Sequence, residues 1–153
     1  MPLSNSGPYV QTAVICENFI KGEQTHALTI INILEGIAGG SPEREMPAFH
    51  LGPPMKIIIN LWAGQARGRF LLKIRPEAPS GMQDEAIDLG EVQFSEMGGL
   101  GFDTIVPMPA YELTEPGTYW FDVLLEDQSG DSEQLLTRMP FTVTYQQTVT
   151  LPR

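Results

Sequence analysis

The chain has a single cysteine, Cys16, among 153 residues. No intrachain disulfide can form, and a secreted disulfide scaffold is excluded. A chain of this length buries roughly 68–70% of its unfolded surface, enough for one core without covalent staples, so a reducing, cytoplasmic setting is expected. Long apolar runs are missing as well. Stretches such as Met108-Pro109-Ala110-Tyr111 and Val123-Leu124-Leu125 fall far short of a membrane span. The opening Met-Pro-Leu-Ser-Asn-Ser-Gly-Pro has neither the basic nor the apolar region of a signal peptide. The expectation is a soluble protein with no membrane partner.

Positive charge is absent from a long central stretch. Between Pro76 and Thr137 there is no Lys, Arg or His, yet there are fourteen Asp and Glu. Nine basic residues against nineteen acidic ones make the net charge −10, so with −14 inside the stretch the flanks carry +4. An acidic chain repels phosphate, and no cluster interleaves basic residues with aromatics, which argues against nucleic acid as a partner.

Helical periodicity is lacking too. Fifteen glycines and thirteen prolines separate short runs rich in Val, Ile, Phe, Tyr and Thr, the pattern of an all-β chain. Strands are expected at about Tyr9 to Asn18, Ala27 to Gly36, Met55 to Ala63, Gly68 to Pro76, Asp88 to Ser95, Asp103 to Met108, Gly117 to Asp127 and Gln134 to Gln146. About eight strands at this spacing predict a single antiparallel β-sandwich over residues 1–153, with 1–8 and 147–153 as flexible tails. A short helical turn is expected within Glu77 to Ile87, between Pro79-Ser80-Gly81 and the next strand.

The clearest unit is the C-terminal hairpin, opened by Glu115-Pro116-Gly117 and turned by the polar run Glu126 to Glu133. Tyr119, Phe121, Val123 and Leu125 alternate to one face of its first strand, and Met139, Phe141, Val143 and Tyr145 to one face of its second. These eight side chains should form half of the core. A second hairpin is expected to join Lys56 to Trp62 with Arg69 to Arg75. There Phe70, Leu72 and Ile74 face inward, while Arg69, Leu71, Lys73 and Arg75 face outward. With Arg67, the outward row collects four of the nine basic residues. The basic strand ends where the acidic run begins, and if the two occupy opposite surfaces the protein is a charge dipole suited to head-to-tail packing.

Three strands carry apolar groups on both faces, which a sandwich with one solvated face does not require. Leu28 and Ile30 oppose Ile31 and Ile33; Ile57, Ile59 and Leu61 oppose Ile58 and Trp62; Phe121 and Val123 oppose Trp120 and Leu124. Either the Pro-rich loop from Ala38 to Pro54, with Met46, Phe49 and Leu51, folds back over one sheet, or the second faces meet a protein partner.

Residues with chemistry form no specific constellation. Asp127-x-Ser129-x-Asp131-x-Glu133 has the alternate oxygens of a cation loop but places Gly130 where the EF-hand pattern does not, and Asp, Ser and Gly are ordinary turn formers. His26, His50 and Cys16 are too few for a zinc site without carboxylates, and Cys16 reads as a small buried hydrophobe on the face of Val10, Thr12 and Val14. Gly98-Gly99-x-Gly101 lacks the lysine of a phosphate loop. No catalytic residue, metal ligand or cofactor is assigned.

Val10-Gln11-Thr12-Ala13-Val14-Ile15-Cys16-Glu17-Asn18-Phe19, Leu28-Thr29-Ile30-Ile31-Asn32-Ile33-Leu34-Glu35-Gly36 and Gly117-Thr118-Tyr119-Trp120-Phe121-Asp122-Val123 together resemble a family of small uncharacterised bacterial proteins. The hairpin is similar to the closing strands of immunoglobulin-like domains. The resemblance implies an immunoglobulin-like sandwich across nearly the whole chain, with Tyr119 as a candidate tyrosine corner and no disulfide pair. It implies no activity and no site.

The functional expectation is therefore a non-enzymatic contact module, a homo-oligomer or a subunit of a larger assembly. Trp62, Trp120 and Leu124 are its apolar contact residues, and Arg67, Arg69, Lys73 and Arg75 its charged ones. The alternative is a small-molecule or carbohydrate binder, or a hydrolase, with carboxylates and Trp62, Trp120 and Tyr111 around a cleft.

Overall fold

The computed structural model describes residues 7–25, 27–95 and 101–149. Among these there are eleven strands and no helix: β1 (Tyr9–Lys21), β2 (Leu28–Ile33), β3 (Gly36–Ser41), β4 (Phe49–Leu51), β5 (Lys56–Trp62), β6 (Gly68–Glu77), β7 (Ile87–Phe94), β8 (Gly101–Pro107), β9 (Tyr111–Leu113), β10 (Gly117–Asp127) and β11 (Glu133–Gln147). They form a four-stranded sheet, β2-β1-β5-β8, a five-stranded sheet, β3-β11-β10-β6-β7, and a small pair, β4-β9. The all-β expectation holds, with three more strands than expected.

One apolar core lies between the two large sheets. Ile15 of β1 and Ile57, Ile59 and Leu61 of β5 meet Leu72 and Ile74 of β6, Tyr119, Phe121, Val123 and Leu125 of β10, and Met139, Phe141 and Val143 of β11. Strand alternation produces this directly, since residues two apart share a face. Seven of the eight side chains expected from the C-terminal hairpin are in the core. The eighth, Tyr145, is half-buried beside it, and its hydroxyl donates to the Glu43 carbonyl at 2.5 Å and lies 2.6 Å from Ser41 Oγ.

Several expectations are corrected. β5 and β6 do not form a hairpin: after Ala63 the chain turns, with Gly64 and Gly68 at positive φ, and crosses to the other sheet, where β6 pairs with β10 and β7. β3 is an added strand and runs parallel to β11, so the sheets are not wholly antiparallel. Its glycines permit the approach: a Cβ on Gly36 would lie 2.3 Å from the Thr142 carbonyl oxygen, and one on Gly39 would lie 2.5 Å from the Phe49 ring. The stretch from Glu77 to Ile87 holds a tight turn, Gly81 N–H to Ala78 O at 2.8 Å, and a bridge between Glu77 and Gln83 rather than a helical turn. Gln147 ends β11, and Thr148 N–H donates to Ser41 O, so the chain is tied down past the point where a tail was expected.

The loop from Ala38 to Pro54 serves the core. Leu51 is buried in it and Met46 and Phe49 pack against it, while β4 pairs with β9 across one end of the molecule. Neither outer sheet face gains a cover from this loop's core-packed side chains. At the end of β9, Tyr119 folds its hydroxyl back to accept the Thr114 and Glu115 N–H groups, each at 3.0 Å. This closed corner fixes the entry into β10.

Candidate functional site

The two large sheets have very different outer faces. On the five-stranded sheet, register sets opposite charges side by side: Asp122 of β10 lies between Arg75 of β6 and Arg138 of β11, and Glu126 lies one pleat from Lys73. Arg138 Nε donates to Asp122 Oδ1 at 2.6 Å and its Nη2 to Glu77 Oε2 at 2.6 Å. Arg75 reaches Asp122 at 3.4 Å and Glu133 at 3.6 Å, and Lys73 pairs with Glu126. The Arg138 guanidinium also lies 4.8 Å from the Trp120 ring centroid, a cation–π contact. The Glu126 carboxylate holds the Lys73 ammonium above its usual range, and Arg138 holds Glu77 below the usual carboxylate range.

This ladder changes the reading of the expected contact residues. Lys73 and Arg75 are engaged by acids of the neighbouring strands, so the basic row and the acidic stretch share a surface and do not form opposed poles. Trp120 lies beneath Arg138. Leu124, expected as a contact, is 1% exposed, in register between Lys73 and Leu135, and offers no surface to a partner. Arg67 donates to its own turn, to Gly64 O and Ala66 O. Arg69 is exposed and borders a hollow of about 500 Å³ with Phe70, Leu71, Glu91 and Glu126. Of the seven expected residues, the structure groups Lys73, Arg75, Trp120 and Leu124 on one face and sets Trp62 on the other sheet.

The four-stranded sheet presents an apolar outer face. Because Ile57, Ile59 and Leu61 point into the core, Lys56, Ile58, Asn60 and Trp62 point outward. Register adds Tyr9, Thr12, Val14, Cys16, Asn18 and Ile20 of β1, Thr29, Ile31 and Ile33 of β2, and Asp103, Ile105 and Pro107 of β8. A bulge at Gln11 between Val10 and Thr12 sends Val10 inward, so Cys16 shares its face with Thr12 and Val14 but not with Val10. Seven large apolar side chains stand exposed among the described residues, and four of them, Tyr9, Ile20, Ile33 and Trp62, lie on this face at 41–59% exposure. Ile58 and Cys16 between them are fully buried. Burial pushes the Cys16 thiol up, which disfavours the thiolate a nucleophile needs.

The alternative cleft is not assembled. Trp62 is on the outer face of one sheet and Trp120 on that of the other. Tyr111 packs edge-on against Tyr119 and Phe121, at 6.3 and 5.7 Å between centroids, with its hydroxyl donating to Asp84 at 2.5 Å. Among the described residues no group of three or more His, Cys, Asp or Glu is placed to hold a metal ion. Asp127 is occupied by its own turn, accepting from the Ser129 hydroxyl at 2.8 Å and the Ser132 N–H at 3.4 Å. His50 lies on β4, in a different sheet from Cys16, while His26 and Gly98-Gly99 lie outside the described residues. No protein-family model and no curated protein matches the chain.

Lys56, Asn60 and Asp103 went unrecognised in the sequence, as did the exposure of Tyr9, Ile20 and Ile33. The apolar second faces of Ile31, Ile33, Ile58 and Trp62 were the one available signal. No helix among the described residues is long and apolar enough to cross a membrane.

Proposed function

We propose that this chain is a non-enzymatic protein-contact module whose working surface is the outer face of the four-stranded sheet, acting as a homo-oligomer or as a subunit of a larger assembly in the cytoplasm. The observation that carries the reading is the concentration of exposed Tyr9, Ile20, Ile33 and Trp62 on that one face, since large apolar side chains gathered in the open on one face mark a contact site. The ion-paired ladder on the opposite face supports it by contrast, because those charges already satisfy one another.

An immunoglobulin-like sandwich of the small bacterial family that the sequence resembles is the finer fold we favour. Its support is the five-stranded order β3-β11-β10-β6-β7, with the edge strand β3 parallel to the last strand, β11, and the Tyr119 corner, whose hydroxyl reaches four and five residues back along the chain, a hallmark of that architecture. A lone, buried Cys16 suits a reducing compartment.

The test is binding of a hydrophobic dye together with light scattering. A contact surface of this kind binds dye when free and loses dye when associated. A chain that stays monomeric and binds no dye overturns the reading.

A further inference from the structure

The apolar face carries two charged side chains, Lys56 on β5 and Asp103 on β8, and they sit at opposite ends of the Ile58–Ile105 row. Lys56 is in register with Pro107 and Asp103 with Asn60, which separates them by about 13 Å along the strands at roughly 3.3 Å per residue. Neither is in an ion pair among the described residues. The Asn60 amide donates to Asp103, and the Asn60 Oδ1 is buried with no hydrogen-bond partner. A buried acceptor left unpaired is costly, and a donor brought to that spot would relieve the cost.

We infer that the occupant of this face is a second copy of the chain, packed face to face about a two-fold axis that crosses the strands at Ile58 and Ile105. The inference rests on the contact-surface reading above. Such an axis exchanges the two ends of the face, so Lys56 of each copy comes over the Asn60–Asp103 pair of the other, supplying a donor to Asn60 Oδ1 and a counter-charge to Asp103. It also lays the Tyr9–Trp62 end of one copy over the Ile31–Ile33 end of the other. Two identical surfaces fit only if each is complementary to itself, and this one is formally neutral while the chain carries −10. Elsewhere, copies of so acidic a chain repel one another. Four strands span about 19 Å, and a length of about 25 Å makes a plan area on the order of 500 Å² per copy before side-chain relief is counted. That is the lower range of specific interfaces, about 800 Å² of accessible surface per partner being standard. An interface at this end of the range suits a reversible dimer rather than an obligate one.

Light scattering on the full chain from about 1 µM to about 1 mM decides it. The wild type should pass from monomer to dimer. Lys56→Glu and Asp103→Lys should each weaken association on the order of 100-fold, since each places like charges at both symmetric contacts. An equimolar mixture of the two variants should dimerise again, because each mixed contact then joins opposite charges. Circular dichroism confirms that the variants fold. Should Asp103→Lys fail to fold, Lys56→Glu against Lys56→Arg settles the same point: the first must dissociate and the second must not. A wild type that dimerises equally well with Lys56→Glu overturns this arrangement. A wild type monomeric throughout also overturns it; dye binding in that case leaves the contact-surface reading standing, and no dye binding removes both.

Discussion

The outer faces of the two sheets are built from strands of the same kind, yet one is closed by charge and the other is left open. On the five-stranded sheet, β6 brings Lys73 and Arg75, β10 brings Asp122 and Glu126, and β11 brings Glu133 and Arg138, so each cation finds an anion one strand away. Asp122 is only 3% exposed although no second layer covers it, because long cationic stems lie over it. On the four-stranded sheet the neighbours are Val14, Ile31, Ile33, Ile58 and Ile105, and the two charges are too far apart to meet. A face whose charges pair internally has little left to offer a partner. A face whose apolar groups are exposed and whose two charges lack ion-pair partners among the described residues keeps both for a contact, which is the basis of the proposal above.

That contrast presupposes the shared core, and the largest expected effect lies there. Phe121→Ala should cost about 3–5 kcal/mol by opening a cavity under both sheets, read as a lowered denaturant midpoint; an equally stable variant would refute the β10 register. Next comes the closed face. Asp122→Asn removes the anion between two arginines and should destabilise by about 2 kcal/mol, less than a fully buried pair because Arg75 and Arg138 reach solvent. Dimerisation should be unchanged, and a large loss of dimer would break the division of labour between the faces. On the open face the opposite is expected. Ile33→Ser should shift stability by no more than about 0.5 kcal/mol, while association falls and the monomer at low concentration binds less dye than the wild-type monomer.

The smallest effect is that of pH on the ladder. Glu77 is held below its ordinary value of 4.5, so its contribution is present above that value and is lost as pH falls through the lower folded one. Lys73 is held above its ordinary value of 10.5, so its contribution is complete below 10.5 and lost as pH rises through the higher folded one. Stability should therefore be flat with respect to these two groups between about pH 5 and pH 10 and decline on both sides. Thermal melts carried below pH 4.5 and above pH 10.5 check it, and Glu77→Gln should flatten the acid limb and leave the alkaline limb as it is.

Local alternation made β10, most of β11 and the inward side of β6 readable, because a period of two needs no knowledge of neighbours. The same rule failed wherever a bulge shifted the phase, as at Gln11, which moved Val10 away from the face of Cys16. The Gly36–Ser41 strand was invisible because glycine is depleted in strands, and it is a strand only by virtue of lying against β11. Lys56 to Trp62 and Arg69 to Arg75 looked like a hairpin because they are close in sequence, but the turn between them crosses from one sheet to the other. Leu124 looked available for contact because a strand pattern says which way a side chain points and nothing about what lies across the next strand.

The sequence by itself determined the all-β class and the inward residues of the longest strands, since composition and period act residue by residue. Which strands became neighbours was decided by the tertiary structure alone. Setting β10 between β6 and β11 turned a basic row and an acidic stretch into an ion-paired ladder. Pairing β1 with β2 and β5 gathered Tyr9, Ile33 and Trp62, distant in the chain, onto one uncovered face. Both outcomes depend on register between remote segments, a property of the assembled sheets that no single stretch of sequence contains.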